Sequence, residues 1–200
     1  MKKTFIFAFI CALSLYAHAG DEHSQIDQNI LTAMHAPMME NAFSQSGDLE
    51  YDFLANMMPH HQGAVDSSKL LLHFELDKNL KQLAQNIIKT QEQEIKEFKS
   101  ILENKNYIKS KLSQKEYLDF INKEKENTQT MMHAMHNTQE ANVQKAYIEA
   151  MIAHHQGAIM SAKNFLKYSK DTKIRAIASK IIKDQEKEIL EFKALLKTLH

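Results

Sequence analysis

The sequence predicts an all-α protein, a four-helix bundle built from two duplicated helical hairpins with two further helices beside it. Only 4 of the 200 residues are Gly and 2 are Pro, which leaves few positions for the tight turns of an all-β fold. Apolar residues recur at steps of three and four, the spacing of one helix face. The chain also repeats itself, so we expect two similar units within one domain over residues 20–200.

The composition excludes several classes of function. Lys plus Arg and Asp plus Glu both number 25, so the chain lacks the basic excess that nucleic-acid binding requires. A single Cys excludes a disulfide scaffold and a Cys-based zinc finger. The feature that needs an explanation is the presence of 11 Met and 11 His.

The first nineteen residues are expected to be a secretory signal peptide. Two lysines precede an apolar stretch that is too short to span a bilayer, and Ala-His-Ala at 17–19 matches a small-residue cleavage site. Cleavage near Ala19/Gly20 would remove Cys11, the only Cys. We therefore expect a Cys-free periplasmic protein that does not insert into a membrane.

A shift of 94 residues aligns the chain with itself without a gap. From residue 53 to residue 102, 22 of 50 positions are identical to their partners. Met-Met-Pro-His-His-Gln-Gly-Ala at 57–64 falls on Met-Ile-Ala-His-His-Gln-Gly-Ala at 151–158. A weaker match at an offset of 98 relates Met34-His35-Ala36 to Met132-His133-Ala134. The two repeat units are placed at about 22–104 and 113–199.

Six helices are predicted in chain order, near 22–44 (broken around Pro37), 48–74, 77–104, 113–136, 139–168 and 171–198. Asp77 and Asp171 stand where N-caps would begin the third and sixth helices. Pro59 is expected to kink its helix or to mark its first turn. The first and fourth helices flank the bundle that the other four form. Runs of Lys and Glu such as 123–126 are predicted to be solvated helix faces.

The methionines that follow residue 19 are concentrated in four windows that also contain His, namely 34–39, 57–61, 131–136 and 151–160. The apolar stripes of 77–104 and 171–198 use Leu, Ile and Phe and no Met. Met that merely filled a core would be mixed with those residues. This alternative stays open for Met57 and Met151, whereas the first and third windows are judged too polar to be core.

Helical spacing brings Met and His together, because residues three and four apart share one face. Thioether with imidazole suits Cu(I), whereas imidazole alone suits Cu(II) and Zn(II). The same spacing would also place Ag(I), so the ligand chemistry predicts a soft metal ion rather than one element, with zinc or another transition metal as the alternative. The candidate metal ligands are Met57, His60, His61, Met151, His154, His155, Met160, Met34, His35, Met38, Met132, His133, Met135 and His136.

The His pairs have a structural alternative, since a buried His on a helix can simply be hydrogen bonded within the core. Four polar residues interrupt the apolar stripes of the third and sixth helices, namely Gln91, Glu94, Gln185 and Glu188. Burial of such groups is costly without partners, and the expected partners are the His pairs. They would either orient ligand His or form a structural hydrogen-bond network. Gly63 and Gly157 predict close helix crossings, near the pseudo-twofold axis between the repeats.

The two His-His-Gln-Gly-Ala segments, with Phe-Leu-Ala-Asn-Met before the first and Gln-Glu-x-Glu-Ile after both, resemble the "domain of unknown function 305" family over about residues 48–198. This resemblance implies a ferritin-like helical fold. Exported members of the family are associated with copper binding and copper tolerance, so the resemblance also implies copper for this chain. The chain departs at Asp66, where the second copy has Met160, which makes the first site poorer in thioether.

The leading interpretation is a non-enzymatic periplasmic copper buffer or carrier, whose partners are the metal ion and other copper-handling proteins of the periplasm. The second is a ferritin-like di-metal enzyme, but such sites use Glu-x-x-His, and the spacing here is Met-x-x-His at Met57/His60 and Met151/His154. The third is a structural or partner-binding helical module that uses Met as an adaptable contact surface. The sequence leaves the oligomeric state open.

Overall fold

The computed structural model describes residues 19–136 and 142–199, and these are helical without a strand. The helices are α1 (Ala19–Glu40), α2 (Leu49–Leu71), α3 (Lys78–Glu103), α4 (Gln114–His136), α5 (Val143–Tyr168) and α6 (Thr172–Leu196). The all-α prediction is therefore confirmed. The expected signal peptide and the expected start of α5 at 139 lie outside the described residues. Within those residues no helix is long and apolar enough to cross a bilayer.

Short polar side chains begin four of the helices. The Asp77 carboxylate accepts the backbone N–H groups of Asn79 at 2.7 Å and Leu80 at 3.2 Å, and Asp171 accepts that of Ile174 at 2.7 Å. Both N-caps were predicted, and both satisfy donors that a helix start leaves unpaired. Asp48 and Asn142 cap α2 and α5 in the same way.

Both prolines lie inside helices, which corrects the expected break at Pro37 and the first-turn alternative for Pro59. Helix α1 is not broken around Pro37 but runs through it to Glu40, and the Pro37 carbonyl accepts the Asn41 amide at 2.6 Å where the helix ends. Pro59 lies inside α2 rather than in its first turn. The chain leaves α1 four residues earlier than expected because the following loop is bound to α2, where Asn56 pairs with the Ser44 backbone.

The helices pack as two hairpins, α2 with α3 and α5 with α6. The hairpins meet through α2 against α5 and α3 against α6. Helix α1 packs on α2 and α5, and α4 packs on α5, so both are flanking helices as predicted.

Two apolar clusters form the core. One contains Leu80, Leu83 and Ile87 of α3 with Tyr147 and Phe192, and the other contains Phe53, Phe98, Phe165 and Ile181. Phe53 and Phe165 stack with ring centroids 4.2 Å apart. The repeated His pairs are buried on α2 and α5 but belong to neither apolar cluster. A polar layer therefore lies inside the bundle.

Candidate metal centre

Four His side chains from two helices meet inside the bundle. His60 and His61 lie on α2, His154 and His155 lie on α5, and all four are buried. The ring centroids of His60 and His154 are only 3.8 Å apart, with the ring planes at 41°. The duplicated helices α2 and α5 thus bring the two predicted His pairs into one layer, which we call the histidine layer.

Most ring nitrogens of the histidine layer have no hydrogen-bond partner. Among the described residues, the buried side-chain nitrogen and oxygen atoms without a partner are His60 Nδ1 and Nε2, His154 Nδ1 and Nε2, His61 Nδ1, His155 Nδ1, Gln91 Oε1, Gln185 Oε1 and Asn127 Nδ2. Folded proteins leave few such atoms, and each costs roughly 1–3 kcal/mol. Six of these nine atoms belong to the histidine layer, so the fold concentrates unused nitrogen lone pairs and N–H groups there.

A carboxylate holds one His of each pair. His61 Nε2 lies 3.0 Å from Glu94 Oε2, and His155 Nε2 lies 2.7 Å from Glu188 Oε2. The sequence predicted this partnership. A carboxylate on one ring nitrogen fixes the tautomer and leaves the other nitrogen as the acceptor, which is how ligand His is commonly oriented.

The two glutamines behave differently from the two glutamates. Gln91 and Gln185 are buried as expected, but the side-chain oxygen of neither has a partner. The expected hydrogen-bond network therefore does not form through these oxygens. Each lies one turn before the glutamate of its helix, so both project from the face that carries the His–Glu contacts.

The two His–Glu contacts differ in their third partner. Glu94 also accepts from Lys180 Nζ of α6 at 2.8 Å. The residue of the first repeat that corresponds to Lys180 is Asn86. Burial alone would raise the pKa of Glu94, but the hydrogen bonds from His61 and Lys180 outweigh it and lower that pKa. Glu94 is therefore ionised. The His61–Glu94 contact has the Lys180 ammonium group beside it, whereas the residue that corresponds to Lys180 in the first repeat is the neutral Asn86.

Burial sets the protonation state of the unpartnered histidines. Removal from water lowers the pKa of both His60 and His154 well below the usual value, and neighbouring His rings lower it further. Both rings are therefore neutral at pH 7. Neutral imidazole is the form that binds metal ions, since a lone pair remains on one nitrogen.

The methionine windows are more deeply buried than the sequence suggests. Met57 and Met151 lie one helical turn before His60 and His154, and both are buried. Their burial fits either alternative, a metal ligand or a core residue. The windows 34–39 and 131–136 were judged too polar to be core, and this is wrong for Met34, Met131 and Met135, which are at most 2% exposed. His133 of the third window is exposed, whereas these methionines are buried.

The remaining candidate ligands are spread over the flanking helices. His35 Nε2 lies 3.3 Å from Met135 Sδ, a contact that joins the first and third windows across α1 and α4. Met38, Met132 and Met160 are partly buried, and His133 is exposed. The side chain of His136 lies outside the described part of the chain.

The repeated glycines explain how the flanking helices approach the site. A Cβ on Gly63 would lie 2.1 Å from the Met34 carbonyl oxygen, and one on Gly157 would lie 2.4 Å from Met131 Sδ. Close helix approach was predicted, but these glycines face the flanking helices α1 and α4 rather than the axis between the repeats. Each glycine therefore admits a methionine-bearing helix next to a His pair.

Sequence analysis missed two polar residues of α4 near this site. Glu124, in the run expected to be solvated, is buried and accepts from Ser161 and from Asn164 Nδ2. Burial raises the pKa of Glu124. Asn127, one turn later, is buried as well. Their three-residue spacing was the available signal, since it puts both on one face together with Met131.

Oxygen and nitrogen ligands alone do not form a metal cluster in the described part of the chain. No group of three or more His, Cys, Asp or Glu side chains is arranged there to hold an ion.

Fold and site together define a helical protein with an internally duplicated, buried His and Met layer. The family model described as "Domain of unknown function (DUF305)" matches residues 50–196, and the chain belongs to this family. The crystal structure of a DUF305 fragment from Deinococcus radiodurans has a similar fold, with a TM-score of 0.56 and 19% identity, over 76% of this chain and 97% of that one. An uncharacterized protein of Acanthamoeba polyphaga mimivirus is 31% identical over 98 residues, 48% of this chain and 62% of that relative's length.

Proposed function

We propose that this protein binds a soft metal ion, Cu(I), in the histidine layer and acts as a non-enzymatic copper buffer or carrier. The observation that carries the proposal is the set of unpartnered ring nitrogens on His60 and His154, whose rings are 3.8 Å apart. Two facing neutral imidazoles with unused lone pairs are a costly arrangement unless something binds them.

The donor set favours copper over harder metals. Imidazole nitrogen from His60 and His154 and thioether sulfur from Met57 and Met151 are soft to intermediate ligands, which suit Cu(I). Mg²⁺ and Ca²⁺ require oxygen ligands. Zinc, which binds imidazole but prefers thiolate or carboxylate to thioether, is the alternative metal.

A small cavity beside the histidine layer supports a role in metal binding. The cavity adjoins His60 and has a volume of about 70 Å³. A space of this size holds a metal ion together with water molecules.

We further propose that the four helices α2, α3, α5 and α6 form a ferritin-like four-helix bundle and that the protein works in a periplasm. The pairwise packing of these helices supports the first proposal. The N-terminal lysines, apolar stretch and Ala-His-Ala site support the second. In that compartment, the protein would exchange copper with other copper-handling proteins.

The decisive experiment is an anaerobic competition titration of Cu(I) against a chromophoric chelator. We expect the double variant His60→Ala/His154→Ala to lose the tightest binding, by at least a hundredfold in Kd. The matched control is His73→Ala, which removes an exposed His just after the same helix. Equal affinity of the double variant and the wild type would overturn the proposed site.

A further inference from the structure

A small cavity adjoins the histidine layer at His60. It lies between α1, α2, α4 and α5 and has a volume of about 70 Å³. His60 and Gly157 line it on the two central helices. Asn41, Ala42 and Thr128, which also line it, are exposed and mark its outer end.

The walls of the cavity carry sulfur and an unpartnered amide. Met38 of α1, Met57 of α2 and Met131 of α4 all line it. Asn127 lines it too, and its side-chain nitrogen is buried without a hydrogen-bond partner. Three thioethers from three different helices thus surround a water-sized space that ends at His60.

In the part of the chain that the structure describes, corresponding positions around His154 in the other repeat are more deeply buried. The residues that correspond to the lining positions Asn56, Met57 and Ser161 are Ala150, Met151 and Ser67, and each of these is 0% exposed. His154 is likewise 0% exposed, whereas His60 is 9% exposed. The face of the layer that belongs to the second repeat is therefore covered.

The packing of the flanking helices explains this difference. At Gly63 the backbone of α1 lies so close that a Cβ would approach the Met34 carbonyl oxygen to 2.1 Å. At Gly157 the nearest atoms of α4 belong to the Met131 side chain, so the α4 backbone stands farther away. The extra distance is filled only in part by an unbranched side chain, and the cavity is the space that remains.

We propose that this cavity is the path by which the metal ion reaches and leaves the histidine layer, so that His60 receives the ion before His154. The inference rests on the proposed metal binding and adds a direction to it. Thioethers of Met38, Met57 and Met131 bind a soft monovalent ion weakly enough to pass it inward. The cavity has a volume of about 70 Å³, which is room for the ion together with water molecules.

A bulky side chain at the outer end of the cavity tests the path without replacing a proposed metal ligand. Thr128→Trp places a large ring at the mouth, and Thr130→Trp is the matched control on the same helix. Both threonines are exposed, and both hydroxyls donate to the carbonyl four residues earlier, at 3.0 and 2.9 Å. Thr130 does not line the cavity.

Stopped-flow transfer of Cu(I) between a chromophoric chelator and the full chain measures the effect. We expect Thr128→Trp to slow uptake and release alike by at least tenfold at unchanged Kd, and Thr130→Trp to stay within twofold of the wild type. Ala42→Trp blocks the mouth from the opposite side and should act like Thr128→Trp. It also provides the test if Thr128→Trp does not fold by circular dichroism.

The two proposals fail in different ways. If the wild type takes up no Cu(I), the proposed function is wrong. If the wild type binds Cu(I) but both plugged variants exchange it at the wild-type rate, the ion uses another route and this inference is overturned.

Discussion

At the scale of single residues, the histidine layer costs stability in the metal-free protein. His60 and His154 leave four ring nitrogens buried without partners. Sites that bind ligands commonly carry such unfavourable groups, and removal of these groups stabilises the fold while it abolishes function.

Replacement of both residues by Leu should therefore stabilise the metal-free chain. Apolar side chains of similar volume remove the unsatisfied groups without opening a cavity. We expect His60→Leu/His154→Leu to raise the free energy of unfolding by about 2 kcal/mol, measured with urea in the presence of a chelator. His73→Leu, at an exposed position, should stay within about 0.5 kcal/mol. A double variant less stable than the wild type would contradict this account.

The same two residues predict how stability depends on pH. Their pKa values are lowered in the folded protein, so the unfolded chain takes up protons first as the pH falls. Stability should thus be complete above about pH 6.5 and should decline below it by up to about 1.4 kcal/mol per pH unit for each His. Urea unfolding between pH 7 and pH 5 measures the slope. The Leu double variant should show a clearly shallower slope, and an unchanged slope would show that other groups dominate.

At the scale of elements, the repeated glycines are not equivalent. Gly63 faces backbone of α1, which cannot move without displacing a helix, whereas Gly157 faces the flexible side chain of Met131. The two positions are identical in sequence and in secondary structure. Their different environments come from the flanking helices, which the duplication does not relate closely in sequence.

Alanine at these two positions should therefore have different effects. Ala gains about 1 kcal/mol of helix propensity over Gly at either site. At Gly63 the clash with the Met34 carbonyl should outweigh this gain, with a net loss of about 2 kcal/mol in unfolding free energy. At Gly157 the Met131 side chain can shift, so we expect a change within about 1 kcal/mol. Thermal and urea unfolding of the two variants side by side measure the difference, and equal losses would refute it.

Local signals predicted the elements well, because they are properties of neighbouring residues. The Asp77 and Asp171 caps and the apolar stripes of α3 and α6 follow from helix spacing alone. The meeting of the two His pairs in one layer was not predicted, because it depends on how α2 and α5 pack against each other.

The features that escaped prediction depend on tertiary packing. The end of α1 at Glu40 follows from where the next loop is bound on α2. Burial of Glu124 follows from hydrogen bonds to Ser161 and Asn164, both some forty residues away in sequence. Burial of Met131 follows from the missing side chain at Gly157. Contacts with residues so distant in sequence are only weakly reflected in the polar and apolar pattern of a single helix.

At the scale of the whole molecule, one chain contains both halves of a shared site. The close approach of His60 and His154 means that a single ion would be bound by one ring from each repeat. The two His pairs are then parts of one central site rather than two separate sites.

The stoichiometry of the single variants tests this sharing. We expect His60→Ala and His154→Ala each to lose the whole tight equivalent of Cu(I), because neither half alone retains two imidazoles at that point. Metal content after gel filtration, compared with His73→Ala, measures the loss. Retention of half the tight metal in either single variant would instead indicate one independent site per repeat.

The unequal glycine environments have a consequence for how such a protein can change over time. A homodimer of one hairpin would have to present the same face twice, and every substitution would appear on both sides. Fusion of the two hairpins into one chain removes that constraint. Helix α1 can then pack closely on its repeat while α4 leaves a cavity beside the other. In this molecule the halves have kept their histidines in common and have diverged in the helices that cover them.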